Sequence, residues 1–305
     1  MSALTKRLSK PFNIQNVKRT LDFKLNKIEN LSLEELKVTR SQKIMGKAMH
    51  GMFHYQFIES LLEIIDKKGL DFDIPVLFAA NNENKHMPGA YADEELEDKY
   101  GEGNIQAYTL NRIYSQVNIK SLEDEVTSTG LAFTYNQMGV QVALGPNVKI
   151  CTNLCIFGAE RYMSTYGRSD KMPTAGRMLE VIGDWLQDFE SIRAQDLKTI
   201  DNFQNTVIPY NEVMEILGDL YTMRVKRDDK KFGKQPMYPL NQGQINKFAT
   251  TYLVEQAKDP SKIFSAWELY NFATDMYKPD QTDMPLILSN NHTMSHYLMN
   301  RYGLN

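Results

Sequence analysis

Apolar residues along this 305-residue chain recur at two different periods, and the change from one to the other organises it. Between Leu131 and Cys151 the period is two. Leu131–Tyr135 is short, apolar and aromatic. Val140, Val142 and Leu144 then alternate with Gln141 and Ala143, and Val148–Cys151 runs apolar, polar, apolar. Asn136-Gln137-Met138-Gly139 and Gly145-Pro146-Asn147 read as turns between them, because Gly and Asn tolerate positive φ and Pro cannot donate to a ladder. Upstream, Ile105–Ile119 carries Tyr108, Leu110, Ile113, Tyr114, Val117 and Ile119. It predicts one strand, or two with a break at Asn111 and Arg112. Ile74–Ala80 is a further short apolar run of strand character. Val, Ile, Thr, Tyr and Phe suit a pleated, half-buried surface, so the expectation is an antiparallel meander of about three to five strands.

Elsewhere the period is three to four. Ser32 with Glu35 resembles a capping box opening a helix. From Ser41 to Lys68, Ile44, Met45, Met49, Met52, Phe53, Phe57, Leu61, Leu62, Ile64 and Ile65 predict one long helix, ended by Gly69. Arg177–Phe203 predicts a second, with Met178, Leu179, Ile182, Trp185, Leu186, Phe189, Ile192, Leu197 and Ile200 on its stripe. Pro209 and Asn211 open another that runs to about Arg227, carrying Val213, Ile216, Leu217, Leu220, Tyr221 and Met223 toward the core. Helices are also expected near Asn241–Lys258, Ser265–Tyr277 and Asn290–Tyr302.

The intervening stretches are polar. Asn81–Gly103 contains Asp93, Glu94, Glu95, Glu97 and Asp98 and reads as an exposed acidic insertion. Ala159–Gly176 is either a linker or a functional loop. Arg224–Lys234 is basic and leads into a loop at Gln235–Pro239. Residues 1–30 are basic and polar with scattered apolar positions: a partly ordered extension, or an arm that docks on a partner. The expected fold is therefore α+β: a central antiparallel β-meander with a helical N-terminal segment and a helical C-terminal half. The helical segment covers residues 1–72, the sheet with its acidic insertion 73–158, and the helical region 159–305, which reads as one composite domain with the sheet.

Composition narrows the classes. Charged residues make up 24% and hydrophobic residues 42%, as in ordinary globular chains. A net charge of −3 argues against a polybasic binder but leaves room for a local basic groove. There is no apolar run long enough to span a bilayer and no apolar leader at the N-terminus. Cys151 and Cys155 suit a reducing compartment, so a cytoplasmic location in the host cell is expected.

Candidate chemistry is sparse. His50/His54 and His292/His296 are spaced four apart, which on a helix places two imidazoles on one face. Neither pair has the Glu of a zincin motif, and packing or surface roles are the simpler account. Cys151-x-x-x-Cys155 has neither zinc-knuckle nor thioredoxin spacing and reads as two small buried residues. Gly101-Glu102-Gly103 follows an acidic stretch, the wrong context for a phosphate cradle. The expectation is a protein that is not an enzyme and needs no cofactor or metal. What remains is basic residues interleaved with aromatics. Arg112, Lys149, Arg161, Tyr162, Tyr166 and Arg168, with Tyr114 and Lys171 nearby, could neutralise phosphates and stack on unpaired bases. Alternatively the tyrosines are core or rim residues and the charges are solvated.

Two blocks carry a resemblance. Val148–Gly158 (VKICTNLCIFG), preceded by GVQVALGPN, resembles the hallmark of a family of phage- and plasmid-like proteins of unknown function, whose corresponding strand reads apolar-Cys-x-Asn-x. Leu240–Asn246 (LNQGQIN) and Ser265–Thr274 (SAWELYNFAT) are similar to a related mobile-element group of gut-type anaerobes, in which a W-x-L-Y-N helix precedes a final helix. The likeness spans roughly residues 105–300 and makes Trp267, Tyr270 and Asn271 motif residues, for packing or for a site. It implies an intracellular phage or mobile-element protein acting around DNA or host defence. Two expectations follow. One is a non-enzymatic, homo-oligomeric binder of single-stranded nucleic acid in replication or recombination. The other is a protein–protein module, such as an inhibitor of a host defence complex or a structural oligomer. A metal-dependent hydrolase or nuclease at the histidine pairs is a third.

Overall fold

Three ten-residue strands carry the period-two stretch: β5 (Leu110–Ile119), β6 (Thr127–Asn136) and β7 (Gly139–Val148). The computed structural model describes residues 31–37, 41–44, 47–48, 50–81, 90–91, 110–119, 127–136, 139–148, 161–164, 175–228, 239–277 and 286–304. Before β5, in chain order, come α1 (Leu33–Lys37), β1 (Ser41–Ile44), β2 (Lys47–Ala48), α2 (His54–Lys67), β3 (Val76–Asn81) and β4 (Ala90–Tyr91). After β7 come β8 (Tyr162–Ser164), α3 (Ala175–Trp185), α4 (Phe189–Asn205), β9 (Val207–Ile208), α5 (Tyr210–Asp228), α6 (Gln242–Lys258), β10 (Phe264–Ser265), α7 (Ala266–Thr274) and α8 (Ile287–Tyr302). The architecture is α+β with a central five-stranded antiparallel sheet, ordered β3-β5-β6-β7-β8. Among the described residues, no helix is long and apolar enough to cross a membrane.

The chain divides into two compact units, one of residues 1–123, 128–143 and 163–189, the other of 124–127, 144–162 and 190–305. In the first unit, register fixes which side chains share a face. Ile113 pairs with Tyr135, Ser115 with Phe133 and Val117 with Leu131, and these face α2. The apolar stripe of α2 (Phe57, Ile58, Leu61, Leu62, Ile65) is fully buried, with Phe57 edge-on to Phe133 at 5.3 Å. The opposite face pairs Tyr114 with Thr134 and Gln116 with Ala132. It too is buried, so the half-solvated sheet expected from alternation is covered on both sides. Gln141, Gln116, Thr134 and Asn136 are interior rather than wet. Tyr114 is a core residue with its ring 6.2 Å from Phe78, and offers no surface for a base.

Several expected boundaries move. The helix predicted from Ser41 begins only at His54, because Ser41–Ile44 pairs with Lys47–Ala48 as a hairpin and with β4 on its other edge. Gly51, at φ +86°, stops any continuous helix there. The Phe53 amide donates to Gln56 Oε1 at 2.9 Å, which starts α2. At its far end Gly69 sits at φ +71°, its amide donates to Asp66 and that of Leu70 to Ile65, so the helix closes as a Schellman motif. Ala90–Tyr91 is a strand inside the stretch taken for a loop, and the acidic cluster 93–98 lies outside the described residues. β5 is a single strand. The expected break at Asn111 is a register shift against β3, where Ala80 opposes Arg112 and Asn81 opposes Leu110.

The turn expected at Gly145-Pro146-Asn147 does not form, and β7 runs through it. The Leu144 amide donates to the Arg161 carbonyl at 3.1 Å. By strand alternation Pro146, two residues on, turns its missing N–H toward that same side and away from β6, where a proline is tolerated. Within Ala159–Gly176, Tyr162–Ser164 forms the edge strand and Ala175 opens α3. The predicted helix Arg177–Phe203 is two helices, interrupted at Leu186–Asp188, where the Gln187 amide bonds to Asp184. Cys151, Cys155 and residues 1–30 lie outside the described residues.

The second unit is helical around a two-stranded ribbon. Phe264 pairs with Ile208 and Ser265 with Val207. Helices α6 and α7 open with capping boxes. Asn241 and Gln244 exchange two bonds of 2.9 Å, and Ser265 and Glu268 exchange bonds of 3.2 and 2.9 Å. Helix α8 ends on Gly303 at φ +64°, and the Leu304 amide returns to Met299.

Candidate functional site

Residues of the basic–aromatic set part company in the structure. Lys149, Tyr166 and Arg168 lie outside the described residues. Arg112 sits on β5 opposite Ala80, in the first unit. Arg161 and Tyr162 belong to the second unit, at the start of edge strand β8, and both are half-buried. The hydrogen bond from Leu144 fixes the Arg161 backbone and so the position from which Tyr162 projects.

Tyr162 meets the second histidine pair. Its ring stacks on His292 with centroids 4.6 Å apart and planes 26° from parallel. His292 in turn meets His296 edge-on at 4.4 Å. The four-residue spacing places both imidazoles on one face of α8, as the sequence implied. That Tyr162 completes the stack follows from a tertiary approach that no spacing announces.

Beside these rings the first half of α8 is unusually polar for an interior helix. Ser289, Asn290, Asn291 and Ser295 are all buried. Ser289 and Thr293 spend their hydroxyls on carbonyls of the preceding turn, at 3.1 and 2.7 Å. Asn291 accepts a hydrogen bond from the Tyr270 hydroxyl of α7. Tyr270 also stacks with Trp267 at 5.7 Å and lies edge-on to Phe203 at 6.1 Å. The W-x-L-Y-N helix is thus keyed to α8 through Tyr270 and Asn291. Asn291 went unnoticed in the sequence. The signal available for it was the polar run Ser289–Thr293 inside an otherwise amphipathic helix.

The first histidine pair has a different setting. His50 Nε2 donates to the Asn136 carbonyl at 2.7 Å, and His50 and His54 both pack edge-on to Tyr135, at 5.1 and 6.0 Å. Burial pulls the His50 pKa down, and the bond to Asn136 opposes this in part. Tyr135 donates its hydroxyl to Met52 at 2.8 Å, and burial pushes its own pKa up. This is aromatic packing that positions the entry to α2. Among the described residues no three His, Cys, Asp or Glu side chains converge on a point where a metal would sit.

Chemically, the second-unit cluster offers a stack of flat rings ending in two imidazoles, with a guanidinium on the adjacent residue. It has the parts for stacking and for meeting an anion. It does not set a nucleophile against a base. Comparison with known proteins finds no family model, no curated protein and no solved structure that matches this chain.

Proposed function

We propose that this chain is a non-enzymatic binder of single-stranded nucleic acid, acting in the replication or recombination of a phage or mobile element in the host cytoplasm, and that Arg161 and Tyr162 form part of its contact surface. The observation that supports this is the stack of Tyr162, on the edge strand of the sheet, on His292, with Arg161 next to it in the chain. Unpaired bases add to aromatic rings regardless of sequence, and a neighbouring guanidinium neutralises the phosphate that accompanies each base.

The test is fluorescence anisotropy of a labelled single-stranded oligonucleotide across a salt series. Affinity should fall steeply with salt. Tyr162→Ala should weaken binding roughly 5- to 150-fold, the range set by losing one base stack. Arg161→Ala should weaken binding evenly across sequences and lower the salt slope by about one. No binding at low salt would sink the proposal, and tight binding indifferent to both substitutions would place the surface elsewhere.

A further inference from the structure

Two stacked aromatic pairs in the second unit are joined end to end. Tyr162 of β8 stacks on His292 of α8, with centroids 4.6 Å apart and planes 26° from parallel. Trp267 stacks on Tyr270 of α7, at 5.7 Å and 25°. The link between the pairs is the bond from the Tyr270 hydroxyl to Asn291, the residue before His292. The series therefore runs Trp267, Tyr270, Asn291, His292, Tyr162. Its middle is interior, since Tyr270 and Asn291 are each 3% exposed. Its two ends, Trp267 and Tyr162, are half-buried and reach solvent in part.

The order of burial within the second pair is informative. Tryptophan carries the larger apolar surface, so packing alone would draw the indole inward and leave the phenol outside. Here the phenol is the interior member and the indole the outer one. The outer ring is also held in place. Tyr270 backs it and is itself edge-on to Phe203 at 6.1 Å. The turn that carries Trp267 is closed by the Ser265–Glu268 capping box, and Lys262 bonds to Glu268 at 2.8 Å. A flat ring fixed beforehand loses little freedom on meeting a second flat group, which favours binding. Asn271 lies four residues on, so it shares the Trp267 side of α7 and adds a half-buried carboxamide that can bond a base edge or a phosphate.

We infer that Trp267 is a second base-stacking station for single-stranded nucleic acid, held at a fixed separation from Tyr162 by the buried Tyr270–Asn291 bond; this rests on the proposal that Tyr162 and Arg161 contact such a strand. The occupant is a further base of the same strand, because the station is continuous with that contact through the series of rings.

Tryptophan emission tests it. The chain has two tryptophans, Trp185 and Trp267, and Trp185 belongs to the first unit. Trp185→Phe leaves Trp267 as the sole indole. On titration with a thymidine oligonucleotide, its emission should fall in step with binding followed by anisotropy, because stacking on a base quenches an indole. Trp267→Leu should weaken binding roughly 5- to 150-fold, the range for losing one base stack, and Trp267→Phe, which keeps a ring, should weaken it less. Far-ultraviolet circular dichroism should be unchanged in both. Anisotropy that reports binding while Trp267 emission stays level overturns the inference and leaves the Tyr162 proposal standing. Equal affinity in the wild type and Trp267→Leu overturns it too. No binding at low salt overturns both.

Discussion

Arg301, in the last turn of α8, donates Nη1–H to Asp219 Oδ2 of α5 at 2.8 Å. The same oxygen accepts the Tyr297 hydroxyl at 2.8 Å, and Nη2 of Arg301 reaches Glu215 at 2.5 Å. One carboxylate thus ties two positions of α8, one turn apart, to α5. Asp219→Ala should lower stability by about 1–2 kcal/mol, modest for charge-assisted bonds because the aspartate side chain remains 47% exposed. Urea denaturation reads this as a lower midpoint at unchanged slope. Asp219→Asn, which keeps an acceptor but not the charge, should fall between the two.

Alkaline solution should loosen both units. Burial raises the pKa of Tyr135 and of Tyr297, and for Tyr297 the Asp219 carboxylate adds to it. A group whose folded pKa exceeds its unfolded value contributes stability that is fully present below the unfolded value, about 10 for tyrosine, and is lost as pH rises through the folded one. Denaturant midpoints should therefore decline above about pH 10, and Tyr297→Phe should flatten part of that decline. A wild-type curve that is level into strong alkali would contradict the burial of these phenols.

On the acid side His50 sets the opposite slope. Its folded pKa is depressed, chiefly by burial. Its contribution is present above the unfolded value near 6.5 and is lost as pH falls through the folded one, where the imidazole must charge beneath the sheet. His50→Gln, which can still donate to the Asn136 carbonyl, should lose stability less steeply below about pH 6.5 than the wild type. Identical acid limbs for the two proteins would remove His50 as the cause.

The turn from β10 into α7 depends on Ser265. Its hydroxyl accepts from the Glu268 amide at 3.2 Å, while Glu268 returns a carboxylate oxygen to the Ser265 amide at 2.9 Å. Ser265→Ala should cost about 1 kcal/mol and Ser265→Asp little, read as shifts in the thermal midpoint. A larger loss would mean that the cap also positions the Tyr270–Asn291 bond one turn further on.

Local chemistry made part of this structure legible. The helix end at Gly69, the helix starts near Asn241 and Ser265, and the strand irregularity at Asn111 each follow from a few neighbouring residues. Where the prediction failed, a short-range signal was outweighed by a long-range partner. Ser41–Ile44 has helical spacing, yet it pairs with Ala90–Tyr91, far along the chain. Pro146 announces a turn, yet it lies in a strand, because its missing N–H points away from β6 and leaves that ladder intact.

The sequence by itself determined the antiparallel meander, the C-terminal helices and the one-face placement of His292 and His296, because periodicity and capping act within a few residues. Only the tertiary structure decided that Tyr162 stacks on His292, that Tyr270 bonds Asn291, and that Tyr114 is core while Tyr221 is open to solvent. An aromatic residue carries the same apolar area in either setting. What distinguishes core from surface is the element brought against it from a distant part of the chain, and a spacing pattern contains no term for that.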